Sequence, residues 1–262
     1  MVWVSITYPG GVQMSRRARL TALLMPLCVI VSGAFAGQSY AAQPVTAVYY
    51  SEGHAITVAT MPDGTSHVFV ATLADGVKTP PAAGSGAVIM EPVECSIGGA
   101  YAYHHLCGVN RVRWSGWHPT IYFIDYTGAD WPVYEAAVVW NQSTALNVGY
   151  RGPWACPGPG YNCVDVSALD YYDYCGTSPP NTWVGCTDYS ISGLTIVDAN
   201  IRIDTGFTSN FANNQKVACH EMGHALGLDH NVWNDSCLYY APRMSTTTNP
   251  NYGDFAMLED IY

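Results

Sequence analysis

The stretch "ACHEMGHALGLDHN", residues 218–231, holds three of the chain's eight histidines, a glutamate and two glycines, in a sequence otherwise poor in charge at 11% Asp, Glu, Lys and Arg. On a helix, residues four apart lie one turn above each other, so His220 and His224 present both imidazoles to a common point. That spacing is a metal chelate. Glu221 stands beside the first ligand, close enough to act on a water at the ion without being obliged to bind it. Gly227 comes three residues after His224, where a residue that tolerates left-handed backbone angles ends a helix and turns the chain sharply. His230 can then swing back as a third ligand. Three neutral imidazoles leave a zinc ion with an open fourth position, where the pKa of water falls to about 7. The predicted chemistry is hydrolysis of a peptide carbonyl by that water. Glu221 takes its proton as general base and later passes it to the leaving amine. A structural zinc site would close the fourth position with another protein ligand, and the stretch offers none.

Helical periodicity runs back from the motif through "NFANNQKVACHEMGHALG", and "LTIVDANIRID" (194–204) alternates like a strand before it. Further upstream, "RVRW" and "TIYFIDY" (120–126) read as strands. "ADWPVYEAAVVWNQSTAL" (129–146) reads as a helix capped by Asp130, with Pro132 in its first turn and Val133, Ala136, Ala137 and Trp140 at core spacing. Residues 151–190, dense in Cys, Pro, Gly and Tyr, are expected to be loop-rich, and "DFAMLEDIY" to form a closing helix with Phe255, Leu258 and Ile261 inward. At the other end, "VTAVYY", "HAITVAT" and "SHVFVATL" alternate apolar and polar, with the turn "MPDGT" between the last two, and predict strands joined by hairpins. A Pro/Gly/Ala-rich linker, "KTPPAAGSGA" (78–87), follows.

The 262 residues are 49% hydrophobic, which suits a folded core and excludes disorder and a long coiled coil. The basic start "MSRRARL" (14–20) and the apolar run "LTALLMPLCVIVSGAFA" (20–36) predict a signal peptide over 1–42, with Met14 as a candidate true start and Ala36, Ala41 or Ala42 as the cleavage point. Pro26 and Gly33 interrupt a run already short for a bilayer, so no membrane anchor is expected after cleavage; general secretion is favoured over twin-arginine export through Arg16 and Arg17. From residue 43 onward seven basic groups face twenty acidic ones, a formal charge of −13, which argues against nucleic acid as a partner. Cys28 lies in the signal; the other eight predict disulfides in an exported chain. Short loops close at the lowest entropic cost, favouring Cys95–Cys107, Cys156–Cys163, Cys175–Cys186 and Cys219–Cys237.

The eleven residues "HEMGHALGLDH" (220–230) make the chain resemble the metzincin zinc peptidases, and within them the matrixins, over roughly 110–262. The resemblance implies an α+β fold: a metzincin-like catalytic domain with a twisted mixed β-sheet, two long helices and a C-terminal helix, preceded by a small β-rich N-terminal region. The expected organisation is a signal peptide (1–42), a β-rich propeptide or accessory region with linker (43–105), and a zinc metallopeptidase catalytic domain (106–262). The resemblance also implies a secreted monomeric endopeptidase acting on protein or peptide substrates with one catalytic Zn2+, and a cleft beneath an edge strand that pairs with extended substrate. Structural Ca2+ is a further implication, but the spacing of Asp165, Asp170, Asp173 and Asp188 matches no defensible motif, and most of these acids are expected to be solvated loop residues.

The chain departs from the matrixin pattern at the methionine expected eight residues past His230, where it has Leu238. Leu238 is favoured as the apolar floor of the site over the more distant Met244, being close to methionine in volume. Tyr240 matches the offset of a tyrosine that contacts the zinc site in related astacins and serralysins and is carried as an oxyanion stabiliser, against the plainer role of a packing aromatic. "LCGVNR" (106–111) faintly resembles the family's inhibitory cysteine segment, but its flanks disagree and a disulfide suits Cys107 better. Latency can still arise from residues 43 to about 105 lying over the cleft. His104 and His105 are expected to be ordinary surface histidines. The competing function is a non-catalytic extracellular polysaccharide- or cell-wall-binding protein with a structural zinc site. The presence of Glu221, which such a site does not need, argues against it.

Overall fold

The computed structural model describes residues 45–51, 54–74, 96–102, 111–153, 156–169, 175, 183–207 and 210–262. Three strands come first, β1 (Val45–Ser51), β2 (His54–Thr60) and β3 (Thr65–Leu73), which form a consecutive antiparallel meander. The hydrophobic alternation of the sequence predicts all three. A hairpin of β4 (Ser96–Ile97) and β5 (Ala100–Ala102) follows, then β6 (Arg113–Trp114) and β7 (Thr120–Asp125). Helix α1 (Val133–Trp140) leads to β8 (Asn147–Arg151), β9 (Asn162–Leu169), β10 (Trp183–Ser192) and β11 (Thr195–Asp204). The chain closes with helix α2 (Phe211–Ala225), strand β12 (Leu228–Asn231) and helix α3 (Tyr252–Ile261).

Among the described residues nine strands share one mixed sheet in the order β1-β2-β3-β10-β11-β9-β7-β8, with β6 on the end of β11. Pairing is parallel from β11 through β9 and β7 to β8 and antiparallel from β11 through β10 to β1. The N-terminal meander is therefore continuous with the strands that follow it. Below the sheet, α1 and α2 bury Val133, Ala136, Ala137, Trp140, Val217, Ala218, Met222 and Ala225 against Ile121, Phe123, Val164, Val166, Ile201 and Ile203. Trp140 donates its indole N–H to the Cys219 carbonyl at 2.8 Å, which fixes α1 against α2 while satisfying a buried polar group.

The α+β architecture with a twisted mixed sheet is as expected from the resemblance, and three departures have local causes. The first helix runs for eight residues rather than through to Leu146, and Pro132, not Asp130, stands at its N-cap without a side-chain cap. Asp130 is exposed, and its main-chain carbonyl accepts from Asn214 Nδ2 of α2 at 3.0 Å. The expected loop-rich region 151–190 contains β9 and most of β10. The first half of β10, Trp183–Thr187, is buried on every residue, with Trp183 and Cys186 packed against Ala55, Ala71 and Cys175 and Val184 in the main core, so the alternation that betrays a half-exposed strand is missing there. Asp165 and Asp188 accordingly lie on strands, not loops: Asp188 pairs with Arg202, and burial followed by repulsion from Asp198 pushes the Asp165 carboxyl above its usual range. Asp170, Asp173, His104, His105, Cys95, Cys107 and the linker 78–87 lie outside the described residues. The other three expected disulfides, Cys156–Cys163, Cys175–Cys186 and Cys219–Cys237, are present. No helix among the described residues is long and apolar enough to cross a membrane.

Candidate metal centre

Helix α2 starts at Asn210, whose side chain accepts from the Asn213 N–H at 3.0 Å, and is fully buried over its second half. Its C-terminal carbonyls, which a helix cannot satisfy internally, are met by distant side chains: Trp114 Nε1 donates to Ala225 O at 2.9 Å and the Tyr262 hydroxyl to Leu226 O at 3.0 Å. Gly227 then takes φ +94°, and a Cβ there would meet the Val112 carbonyl at 2.7 Å, so only glycine makes this turn. The turn delivers His230 on β12, which is pinned from three sides. Asn231 N–H donates to Leu238 O at 2.8 Å, Val232 N–H to Gly99 O at 3.0 Å, and β12 pairs with β5 through Leu228 and Asn231.

The result is a cluster of His220, His224 and His230 whose ligand atoms all lie within 4.8 Å of one another. His220 and His224 are fully buried and His230 is 7% exposed. His220 Nδ1 donates to Cys237 O at 2.9 Å and His224 Nδ1 to Leu228 O at 3.0 Å. A carbonyl can only accept, so both Nδ1 atoms carry the proton, and in the neutral ring that leaves Nε2 the lone pair a metal requires. Three converging neutral imidazoles in a dry site fit a divalent ion of the zinc class. Among the described residues no other group of three such side chains converges, and Asp165 and Asp188 belong to none.

Glu221 contributes no atom to that cluster. Its carboxylate is turned to the underside of the sheet. Oε1 accepts from the Thr72 hydroxyl of β3 at 2.7 Å, while Oε2 lies 2.7 Å and its own carbonyl 2.9 Å from the Thr187 hydroxyl of β10, which has one proton to share between them. Burial pushes the Glu221 carboxyl up to about 8, and the two threonines pull against it. Gly185, opposite Thr72 in the β3–β10 register, leaves room for this carboxylate: a Cβ would sit 2.3 Å from Oε1. Gly185→Ala is therefore expected to displace Glu221 and lower turnover about a hundredfold, the usual consequence of a misplacement near 1 Å, with the metal content unchanged. A rate within twofold of the parent at full metal content would refute this placement.

Leu238 is fully buried and lies beside Gly223 of α2, whereas Met244 is 65% exposed, so leucine supplies the apolar packing under the helix. The Cys219–Cys237 bond ties that turn to α2 at the residue whose carbonyl orients His220. Tyr240 is partly buried and its hydroxyl accepts from the Tyr239 hydroxyl at 2.8 Å. Three residues of the site had not been singled out in the sequence. Thr72 and Thr187 carry no local signature. Asp254 does carry one: Asn251 and Asp254 form a capping box at the start of α3, a pattern readable as an asparagine followed three residues later by an acid. Asp254 is buried and accepts from Ser236 Oγ, Asn231 Nδ2 and Asn251 N–H, linking α3, the Leu238 turn and the strand that holds His230.

Compared with known proteins, residues 133–262 match the matrixin peptidase family. Among solved structures, metalloproteinase-II from Bacteroides fragilis aligns over 81% of this chain and 77% of its own at 10% identity and a TM-score of 0.31, a likeness too loose to support inference. No curated protein matches the chain. The match begins at the first residue of α1 and takes in the three histidines, Glu221 and the closing helix: over residues 133–262 the chain is matrixin-like.

Proposed function

We propose that the protein is a secreted zinc endopeptidase that hydrolyses internal peptide bonds of protein substrates. The observation that carries this reading is the buried trio His220, His224 and His230, two of them held by carbonyls in the tautomer a metal needs, with a carboxylate on the adjacent residue that is not part of the donor set. A zinc ion held there would supply Lewis-acid polarisation of the scissile carbonyl and an acidified water. Glu221 acts as general base, taking the proton of the attacking water and delivering it to the leaving amine. Cys237 O and Leu228 O keep the imidazoles aimed, and Leu238 closes the floor. Tyr240 is carried as the donor to the developing oxyanion.

Three disulfides and the signal-like sequence over residues 1–42 support export; in this reading the protein is a monomer, with residues 43–105 as propeptide or accessory region and 106–262 as the catalytic part. Structural calcium gains no support from Asp188, whose carboxylate is taken by Arg202. Purified protein, assayed directly and after brief treatment with a serine protease that is then inhibited, is expected to cleave casein or gelatin. A chelator should abolish cleavage and stoichiometric zinc restore it. Proteolysis that persists in chelator, or a folded protein that binds no zinc by elemental analysis, would rule the proposal out.

A further inference from the structure

The carboxyl ends of the parallel strands β7 and β8 and the first residues of α1 and α2 meet around a cleft of about 550 Å³ that shares no residue with the metal centre. That volume is in the range of a small-molecule site. Phe211, the first residue of α2, lines the cleft, and His220 follows on the same helix about 14 Å further along its axis. Among the described residues the walls carry two carboxylates, Asp125 and Glu135, the rings of Tyr126, Tyr134, Tyr150 and Phe211, and no basic side chain. Asp125 is fixed in place: Oδ1 accepts from the Thr127 N–H at 2.8 Å and hydroxyl at 2.7 Å, and Oδ2 from the Tyr150 hydroxyl at 3.1 Å. Glu135, in the first turn of α1, makes no hydrogen bond or ion pair among the described residues. Burial, followed by Asp125 and then Glu135, pushes the Tyr150 hydroxyl above its usual range, so both carboxylates act on the same ring. The two helix starts at the cleft contribute about half a positive charge each, which two carboxylates outweigh. The cleft therefore attracts a cation.

Its shape narrows the choice. Tyr134 and Tyr150 stand edge to face, with centroids 5.3 Å apart and planes at 80°. Rings at right angles make a corner, not the flat platform on which a sugar ring lies, and Tyr134 and Phe211 are both about half exposed. A compact cation suits such a corner, because aromatic faces carry negative charge. Arginine fits better than lysine: its planar guanidinium stacks on a ring while its fork of N–H groups makes two bonds to one carboxylate. We propose that this cleft is a second, non-catalytic binding site that takes an arginine side chain of a polypeptide substrate, stacked on the exposed rings and paired with Glu135. That the polypeptide is a substrate rests on the peptidase reading; the site itself does not. The chain's formal net charge of −10 favours the same basic partner. An extended chain anchored there needs at least about four residues to reach the metal centre, so the arginine is read at a distance from the scissile bond.

The test uses the zinc-loaded full chain carrying Glu221→Gln, so that the probe is not cut. Fluorescence anisotropy follows a labelled glycine–serine peptide containing arginine and its counterpart with citrulline, the neutral isostere. The arginine peptide is expected to bind about 10–100-fold more tightly, the worth of a charged hydrogen-bonded pair. Glu135→Gln should weaken it about tenfold and Tyr134→Ala several-fold, while Asp63→Asn, which removes the same charge at the β2–β3 turn, should leave it unchanged. In the active chain, Glu135→Gln should raise KM about tenfold for an arginine-bearing substrate with kcat unchanged, and leave a short neutral peptide unaffected. Equal binding of the arginine and citrulline peptides, or equal losses in Glu135→Gln and Asp63→Asn, would overturn the proposal. So would a neutral oligosaccharide that binds more tightly than the arginine peptide and is lost in Tyr134→Ala. Arginine-selective binding without hydrolysis by any form of the chain would refute the peptidase reading and leave the site standing.

Discussion

Glu221→Gln is expected to lower kcat by about 10²–10⁴-fold, the usual range for loss of a positioned general base, while zinc content and thermal stability stay near those of the parent. The isosteric amide keeps the volume and one acceptor oxygen for the threonine hydroxyls at 2.7 Å, so the packing beneath β3 and β10 persists. Glu221→Ala should lose turnover to the same extent but also stability, because it leaves the buried Thr72 and Thr187 hydroxyls without their carboxylate. Together the two variants separate chemistry from packing. Both are measured after the protease treatment used for the parent, with zinc counted by elemental analysis. If the glutamine variant turned over at more than about a tenth of the parental rate, Glu221 would not be the base, because loss of a positioned base costs at least about a hundredfold. Loss of zinc in the same variant would mean that the carboxylate orients the donor set.

The convergence of the three histidines was legible in the sequence because every part of it is local: a four-residue helical repeat, a glycine where the helix must end, and a third histidine within reach of the turn. The three observed disulfides were legible for the same reason, since each links nearest neighbours and spans 7, 11 and 18 residues. What escaped were features made by contacts distant in sequence. Thr72 meets Glu221 across 149 residues, and nothing in "SHVFVATL" distinguishes that threonine from any other on a strand. Strand β10 escaped because its first half, Trp183–Thr187, is buried on both faces and shows no alternation, and the glycine and cysteine within it read as loop residues; yet Gly185 is there to admit a carboxylate and Cys186 to bond Cys175. The false cap at Asp130 has the opposite origin. The local pattern was sound, but the tertiary partner Asn214 fixes that backbone elsewhere, and helix α1 begins at Val133.

Asp254→Ala is expected to cost about 3–5 kcal/mol of folding stability, the cost of leaving several buried donors without their acceptor. Ser236 Oγ at 2.6 Å, Asn231 Nδ2 at 2.9 Å and Asn251 N–H at 2.7 Å all converge on this one carboxylate. Burial pushes the carboxyl above its usual range, and the hydrogen bonds pull it back, so the side chain holds its position only through these partners. At roughly 2–4 °C per kcal/mol for a domain of this size, the melting temperature should fall by about 10 °C. The same substitution reaches the metal centre through Asn231, the neighbour of His230, and through Ser236, which accepts from the Leu238 N–H at 2.9 Å. Removing such outer partners weakens metal binding by about 10–100-fold, so competition with a chromogenic chelator should show a weaker zinc affinity in the folded variant. Ser236→Ala deletes one of the three donors and also leaves the buried Leu238 N–H without its acceptor, so it should cost about 1–3 kcal/mol, less than Asp254→Ala, and shift zinc affinity less. If Asp254→Ala melted within 2–3 °C of the parent, about 1 kcal/mol at this size, the three hydrogen bonds would not be holding the His230 strand against α3.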